Sequence, residues 1–391
     1  MTAPTFVKKV IRSVIFLAII LTTSVVLFEI LLRITSYSPS MKMYDYTILF
    51  DEDVLFRIKP NCAPDINEMG YRSAEFDYNK GRTRRVLFLG DSFVMGHNVP
   101  PGQTIAAGLD RALGGGHEVF NMGVLAYGPD QSLVALLEDG LDLKPDMVIL
   151  GIFAANDFQD IERNELFSIG GGGRLIRNPE NVVKRNVPKS RAMFFFNWFQ
   201  YLVQPKIDPN HRILSRNHEY LVHHLIADFY DWELLYDVES DSSLQKIELM
   251  REILSLFKEK LKSEGVKFAV VIIPSYPNIV DVSEFRNIGM DEEYYQDFIE
   301  DRERFFGPEN IVTSLCDGLE IPYLNLYPKF LALDEGERAG LYDPEDWHLS
   351  AFGNQFSGDL VASELVKPRL SPSDWEINRP WLSPKPQRPW M

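Results

Sequence analysis

The sequence predicts an α/β protein: a central parallel sheet covered by helices on both faces, behind a single N-terminal transmembrane helix. Two observations carry this reading. Apolar, β-branched runs at residues 86–89, 146–153 and 266–273 recur between helix-compatible segments. Strands apolar on both faces must be buried on both, which requires helical layers above and below a parallel sheet. Ahead of them, residues 14–28 hold no charge, and the apolar character continues through residues 30–32 despite Glu29.

That N-terminal stretch approaches the roughly 20 apolar residues that a bilayer-spanning helix needs. Lys8, Lys9 and Arg12 precede it and Arg33 alone follows closely. The positive-inside rule therefore predicts a cytoplasmic N-terminus with the bulk of the chain outside. A cleaved signal peptide is the competing reading. Its apolar core usually runs about 7–15 residues and ends at a small-residue site, and Phe28-Glu29-Ile30-Leu31-Leu32 offers none. A retained anchor is the expectation.

The body then reads in order. Residues 36–80 form a small irregular or β-rich extension, with strand-like Tyr46-Thr47-Ile48-Leu49-Phe50 and punctuation at Pro60, Pro64, Asn67 and Gly70. Residues 86–89 are the first core strand and 104–113 suit a helix. Residues 117–120 make a second, short strand, 131–141 a helix, and 146–153 a third strand. An amphipathic helix starts near Leu244 and turns Leu249, Ile253, Leu256, Phe257 and Leu261 to one face. The turn at 263–265 leads into a fourth strand at 266–273, closed by Pro274. The expected division is an anchor at 1–35, the extension at 36–80, a main α/β domain at 81–365 with an insertion at about 160–244, and a Pro- and Trp-rich tail at 366–391. The insertion carries a run of glycines at 170–173 and an aromatic stretch at 193–202. The glycine run has no following Lys-Ser or Lys-Thr, so it is not a phosphate loop.

A formal net charge of −16 argues against nucleic acid, whose phosphates demand clustered Lys and Arg. The two cysteines, Cys62 and Cys316, have no metal-ligand spacing and are expected as unpaired, partly buried thiols. His223 and His224 are adjacent rather than four apart, a poor metal pair. No cofactor or metal is implied.

Four islands carry chemistry. Gly90-Asp91-Ser92, Asn121-Met122-Gly123 and Ala155-Asn156-Asp157 each follow a strand of one parallel sheet, so they converge on its carboxyl edge, where ligands bind in open α/β sheets. The fourth, at 343–354, holds Asp343, Asp346 and His348. A hydrolytic serine needs a base, a group to orient that base and donors for the oxyanion. Ser92 can be the nucleophile, His348 the base, and Asp346 or Asp343 the orienter. The backbone N–H groups of Ser92 and Gly123 and the side-chain amide of Asn156 can form the oxyanion hole. Singly, each has a plainer role: a helix cap for Ser92, a turn for Gly123 and Asn156, a surface loop for His348. His97 either lines the pocket or sits in a loop.

In this order the islands resemble the SGNH (GDSL-like) hydrolase superfamily of esterases, lipases and acyl-handling enzymes, over roughly residues 60–365. The stretch Gly90-Asp-Ser-Phe-Val-Met-Gly96 and the upstream Asn67-Glu-Met-Gly70-Tyr-Arg72 resemble a membrane-anchored bacterial branch. The resemblance implies a flavodoxin-like three-layer α/β/α fold, with catalytic Ser92, His348 and Asp346 and an oxyanion hole of Ser92, Gly123 and Asn156. Many members place Asp three residues before the histidine, where this chain has Glu345. The Asp346-Trp347-His348 spacing is similar to members that act on acylated polysaccharides. The implied activity is cleavage of carbohydrate or small acyl esters, deacetylation among them. The alternatives are an O-acetyltransferase acting on exported polysaccharide and a catalytically silent glycan-binding scaffold.

Overall fold

The computed structural model describes residues 3–34, 40–43, 45–78, 80–81, 83–178, 234, 237–279, 307–344 and 347–370. A 32-residue helix, α1 (Ala3–Ile34), comes first. Within its residues 7–34 an 18-residue stretch reaches a mean hydropathy of 2.6, and the helix is long and apolar enough to cross a membrane. Three short antiparallel strands follow: β1 (Ser40–Met43), β2 (Tyr46–Asp51) and β3 (Leu55–Ile58).

The main sheet contains β4 (Arg84–Gly90), β5 (His117–Gly123), β6 (Met147–Phe153), β9 (Lys267–Ile273) and β10 (Tyr323–Asn325), every pair parallel. A separate two-stranded hairpin, β7 (Phe167–Ile169) and β8 (Leu175–Arg177), turns through the glycine run. Across the main sheet the order is β10-β9-β6-β4-β5. Counting only these strands along the chain, the order is 2-1-3-4-5, the flavodoxin-like doubly wound arrangement. The order of strand addition reverses between β4 and β6, which makes their carboxyl ends the crevice where this kind of fold binds ligands.

β4 and β6 are buried at every position. Alternate side chains feed two cores, as a period of two requires. Leu87, Leu89, Val148, Leu150, Val270 and Ile272 pack on one face, with Leu249, Ile253 and Phe257 of the helix Asp241–Ser263. Val86, Phe88, Ile149 and Val271 pack on the other, with Ile105 and Leu109 of the helix Ile105–Leu113 and with Val361 and Leu365. The extension joins the first core through Tyr46, Ile48, Val54 and Phe56. Polar ties reinforce it. Gln131 Nε2 donates to Val54 O at 2.7 Å and Tyr127 Oη to Phe56 O at 2.7 Å. Arg57 pairs with Asp51, Glu138 and Asp139.

The expected helix at 131–141 is regular only over Pro129–Ala135. It widens into a π turn at Leu136–Gly140 and tightens again over Leu141–Leu143. The widened turn carries Glu138 and Asp139 to Arg57. The fifth strand, β10, is too short to give a periodic signal, and no strand was expected there. Cys62 and Cys316 are both free thiols, half-buried and buried. His223–His224, the aromatic stretch 193–202, most of the insertion and tail residues 371–391 lie outside the described residues.

Several carboxyls are buried with an oxygen that has no hydrogen-bond partner among the described residues: Asp91, Asp130, Asp157 and Glu309. Burial pushes Asp130 and Glu309 each up to about 7 and Asp91 up to about 6. Burial, then the like charge of Asp91, holds Asp157 well above its ordinary value. In the unfolded chain such groups ionise near ~4. Between ~4 and ~7 the native state therefore binds more protons, so stability falls as pH rises through this window. Burial holds His117 below its ordinary value, which acts the other way, whereas Asp110 and Glu138, also raised by burial, act with the four. The urea midpoint is expected to be higher at about pH 5.5 than at about pH 7.5, and Asp130→Asn should narrow the difference. A wild-type midpoint that rises with pH over this range would contradict the assignment.

Candidate active site

The site starts at the carboxyl end of β4. Gly90 (φ +154°) turns the chain into a four-residue helix, α2 (Ser92–Met95). Asp91 is the N-cap: its Oδ1 accepts the Phe93 N–H at 2.9 Å. The capping role is thus taken by Asp91, and the Ser92 hydroxyl is released from it. Gly96, in the left-handed conformation, ends the helix by donating its N–H to Ser92 O at 2.8 Å.

Three adjacent strands give α2 room. Gly90 pairs with Gly123 in register, and the Leu89–Leu150 pair sets Gly151 beside Gly90. A Cβ on Gly90 or Gly151 would lie 2.5 Å from Val94 Cγ2, and one on Gly123 would overlap the Met95 N–H. The row of glycines is a socket for Val94, which lets the nucleophile helix lie directly on the sheet edge.

His348 arrives from the far end of the chain. Tyr342 and Leu349 form an isolated antiparallel bridge, with Asp343 N–H donating to His348 O and Trp347 N–H to Asp343 O, both at 2.8 Å. Trp347 takes a left-handed backbone (φ +63°) immediately before the histidine. The Tyr342 hydroxyl donates to Pro274 O at the end of β9. Asn354 Nδ2 and Asn98 Nδ2 donate to Leu349 O at 2.7 and 3.2 Å. So held, the buried His348 brings Nε2 to 2.8 Å from Ser92 Oγ, across 256 residues of sequence. Its ring packs against Phe93 at 4.6 Å and edge-on to His97 at 4.5 Å. His97 is therefore beside the base, the pocket-side reading of that residue. Asp346 lies outside the described residues; Asp343 is half-buried and tied by its backbone to His348.

The other two sequence-expected residues end neighbouring strands. Asn156 is half-buried at the head of helix α5 (Asp157–Asn164), and its side chain makes no capping bond. That removes the commonest structural role of an asparagine there. Gly123 closes β5, its N–H donating to Asn121 Oδ1 at 2.9 Å. The Asn121 amide in turn donates to Val94 O at 2.8 Å. Asn121 thus ties the Gly123 amide to the nucleophile helix, a role that sequence reading missed although it singled out that island.

Burial pushes Asp91 up to about 6, and the charge of His348 acts to lower it. A protonated His348 and an ionised Asp91 therefore favour each other. No grouping of three or more His, Cys, Asp or Glu that could hold a metal occurs among the described residues.

No family model and no curated protein matches the chain. Solved structures do. A lipase/acylhydrolase from Enterococcus faecalis is 14% identical, with 74% of this chain and 98% of that chain covered and a TM-score of 0.40. An acetylxylan esterase from Geobacillus stearothermophilus is 13% identical, with 72% and 94% covered and a TM-score of 0.37. A carbohydrate acetylesterase from Sinorhizobium meliloti is 15% identical, with 72% and 97% covered and a TM-score of 0.32.

Chemically, a hydroxyl within hydrogen-bond reach of an imidazole, at a strand-to-helix turn, has the geometry that a nucleophile activated by a base requires. A fluorophosphonate probe is expected to label Ser92 and to fail on Ser92→Ala. His348→Ala should slow labelling at least about 10²-fold. Equal labelling of wild type and Ser92→Ala, located by peptide mass, would move the nucleophile elsewhere.

Proposed function

We propose that this chain is a serine-dependent ester hydrolase of the SGNH (GDSL-like) type that removes short acyl groups, acetyl foremost, from carbohydrate or other small esters. The observation that carries this reading is the 2.8 Å contact of Ser92 Oγ with His348 Nε2 at the switch point of the parallel sheet. Ser92 attacks the acyl carbonyl while His348 takes its proton. The tetrahedral oxyanion is held by the Ser92 N–H, the Asn156 amide and the Gly123 N–H, the last on release from Asn121. The protonated His348 then delivers its proton to the leaving alcohol, and water resolves the acyl-enzyme by the same path reversed. No step calls on a metal or cofactor. The acyl-carbohydrate substrate class is supported by the Asp-x-His spacing, which resembles family members acting on acylated polysaccharides. An O-acetyltransferase would use the same acyl-serine and differ only in its acceptor.

Detergent-solubilised full-length protein assayed on p-nitrophenyl acetate and longer-chain esters tests the reading. Turnover should fall with chain length and vanish in Ser92→Ala. Asn156→Ala is expected to lower kcat by about 10²–10³, with little change in thermal midpoint because no capping bond is lost. No ester hydrolysis, with Ser92 unlabelled by the probe, would end the hydrolase reading. Asp346 is the proposed orienter of His348: Asp346→Asn should lower kcat by about 10²–10⁴ and Asp343→Asn by less than about tenfold. The reverse ranking would transfer the role to Asp343.

The proposed location is the outer face of a cytoplasmic membrane, with α1 as a retained anchor and the N-terminus inside. Lys8, Lys9 and Arg12 ahead of the apolar stretch support that orientation. A reporter joined after residue 40 should be active only in the form that works outside the cytoplasm. Activity of a cytoplasm-specific reporter at that junction would reverse the topology.

A further inference from the structure

The turn Asn67-Glu-Met-Gly70-Tyr-Arg72 lies outside the triad and the oxyanion hole, yet its bonds lead straight to them. Asn67 folds the turn: its Oδ1 accepts the N–H groups of Met69 and Tyr71 at 3.0 and 2.9 Å, and its Nδ2 donates to Ala74 O. Gly70 (φ +86°) lies against Ile58 O so closely that no Cβ could fit. Tyr71 Oη donates to Asp139 Oδ2 at 2.7 Å, fixing the turn to the domain. Everything in the motif serves to deliver the next residue.

Arg72 is buried, its side chain 4% exposed. Its Nε donates to Asp65 Oδ2 at 2.6 Å, and Asp65 also accepts from Tyr46 Oη. The other guanidinium nitrogens go to the end of α2. Nη1 donates to Gly96 O and lies 3.4 Å from Met95 O, and Nη2 donates to Val99 O at 2.8 Å. A helix of four residues cannot satisfy its own terminal carbonyls. A cation is also favoured at that end of a helix. Gly96 and Val99 flank His97 and Asn98, the two residues that touch the His348 ring and the Leu349 carbonyl. One guanidinium thus grips the segment that carries the nucleophile and the segment that bears on the base. Only the planar fork of arginine reaches such spaced acceptors at once; an ammonium cannot.

We infer that Arg72 is a positioning residue of this site, fixing the Ser92–His348 geometry through the carbonyls of Met95, Gly96 and Val99. The inference rests on the hydrolase reading for its catalytic consequence but not for the clamp itself. Arg72 touches neither substrate nor reacting atoms, so removing it should lower the reactivity of Ser92 and leave substrate affinity alone.

The test uses full-length Arg72→Met and Arg72→Lys in detergent, with Asp65→Asn as a milder variant that keeps the guanidinium but removes its anchor. Three readouts are taken: amide hydrogen exchange, the rate of fluorophosphonate labelling at Ser92, and kcat and KM on p-nitrophenyl acetate. For both Arg72 variants the Met95 and Gly96 amides should exchange at least about tenfold faster, while β4 and β6 amides keep wild-type rates. Labelling and kcat should fall about 10²-fold, with KM within about threefold. Lysine should not rescue, and Asp65→Asn should fall about three- to tenfold, deciding the matter if the Arg72 variants do not fold. Accelerated exchange spread through the sheet, or wild-type labelling in Arg72→Met, would overturn the inference. Wild type unlabelled at Ser92, with exchange changes confined to α2, would instead overturn the hydrolase reading and leave the clamp standing.

Discussion

The site depends on holding a helix too short to hold itself. α2 has four residues, and a lone turn of helix is unstable because its ends leave backbone donors and acceptors without partners. Here each end is met from elsewhere. Asp91 takes the Phe93 N–H, Gly96 closes on Ser92 O, Asn121 takes Val94 O, and Arg72 reaches the carbonyls beyond. Beneath it, Gly90, Gly123 and Gly151 make the sheet edge flat enough for Val94 to sit in. Ser92 is therefore held by packing below its helix, by the helix's own caps and by hydrogen bonds from two other segments, those of Asn121 and Arg72.

The partner of that helix reaches it by a different device. His348 rides on a two-residue bridge rather than on a regular strand or helix. Precision in such a loop has to come from side chains. Tyr342 bonds to the end of β9, and Asn98 and Asn354 both bond to Leu349 O. Asn98 belongs to the segment just after α2, so the loop that brings the base is tied to the segment that carries the nucleophile. A shift in one is transmitted to the other through a hydrogen bond instead of through solvent.

Much of this was legible in the sequence because burial leaves a strong trace. The strands at 86–89, 146–153 and 266–273 are apolar runs that had to be doubly covered, and the ends of each lie within two residues of where they were expected. Ser92, Gly123 and Asn156 were legible as islands behind strands and His348 in a fourth island near the end of the domain, and the structure brings Ser92 and His348 into contact. β10 left no trace because three residues show no periodicity, and the π turn, whose Glu138 and Asp139 pair with Arg57 of another segment, left none either. Asn121 and Arg72 were visible within motifs, but their work is directed at backbone carbonyls. Bonds to backbone carry no sequence signature in the partner, so those roles emerge only in three dimensions.

The acidic cap adds an electrostatic reason for Asp91 rather than Ser or Asn ahead of the nucleophile. Any of these side chains could accept the Phe93 N–H. Only aspartate places a titratable charge there, and burial raises it to about 6 with the charge of His348 pulling it back. Asp157, raised further by burial and by the like charge of Asp91, resists ionising alongside it. Two buried carboxyls under mutual repulsion favour a single negative charge between them, and the imidazolium tips that charge toward Asp91. On the proposed hydrolase reading, a proton taken up by His348 would favour the ionised form of Asp91. The side chain that caps the helix is also the one whose ionisation that charge favours.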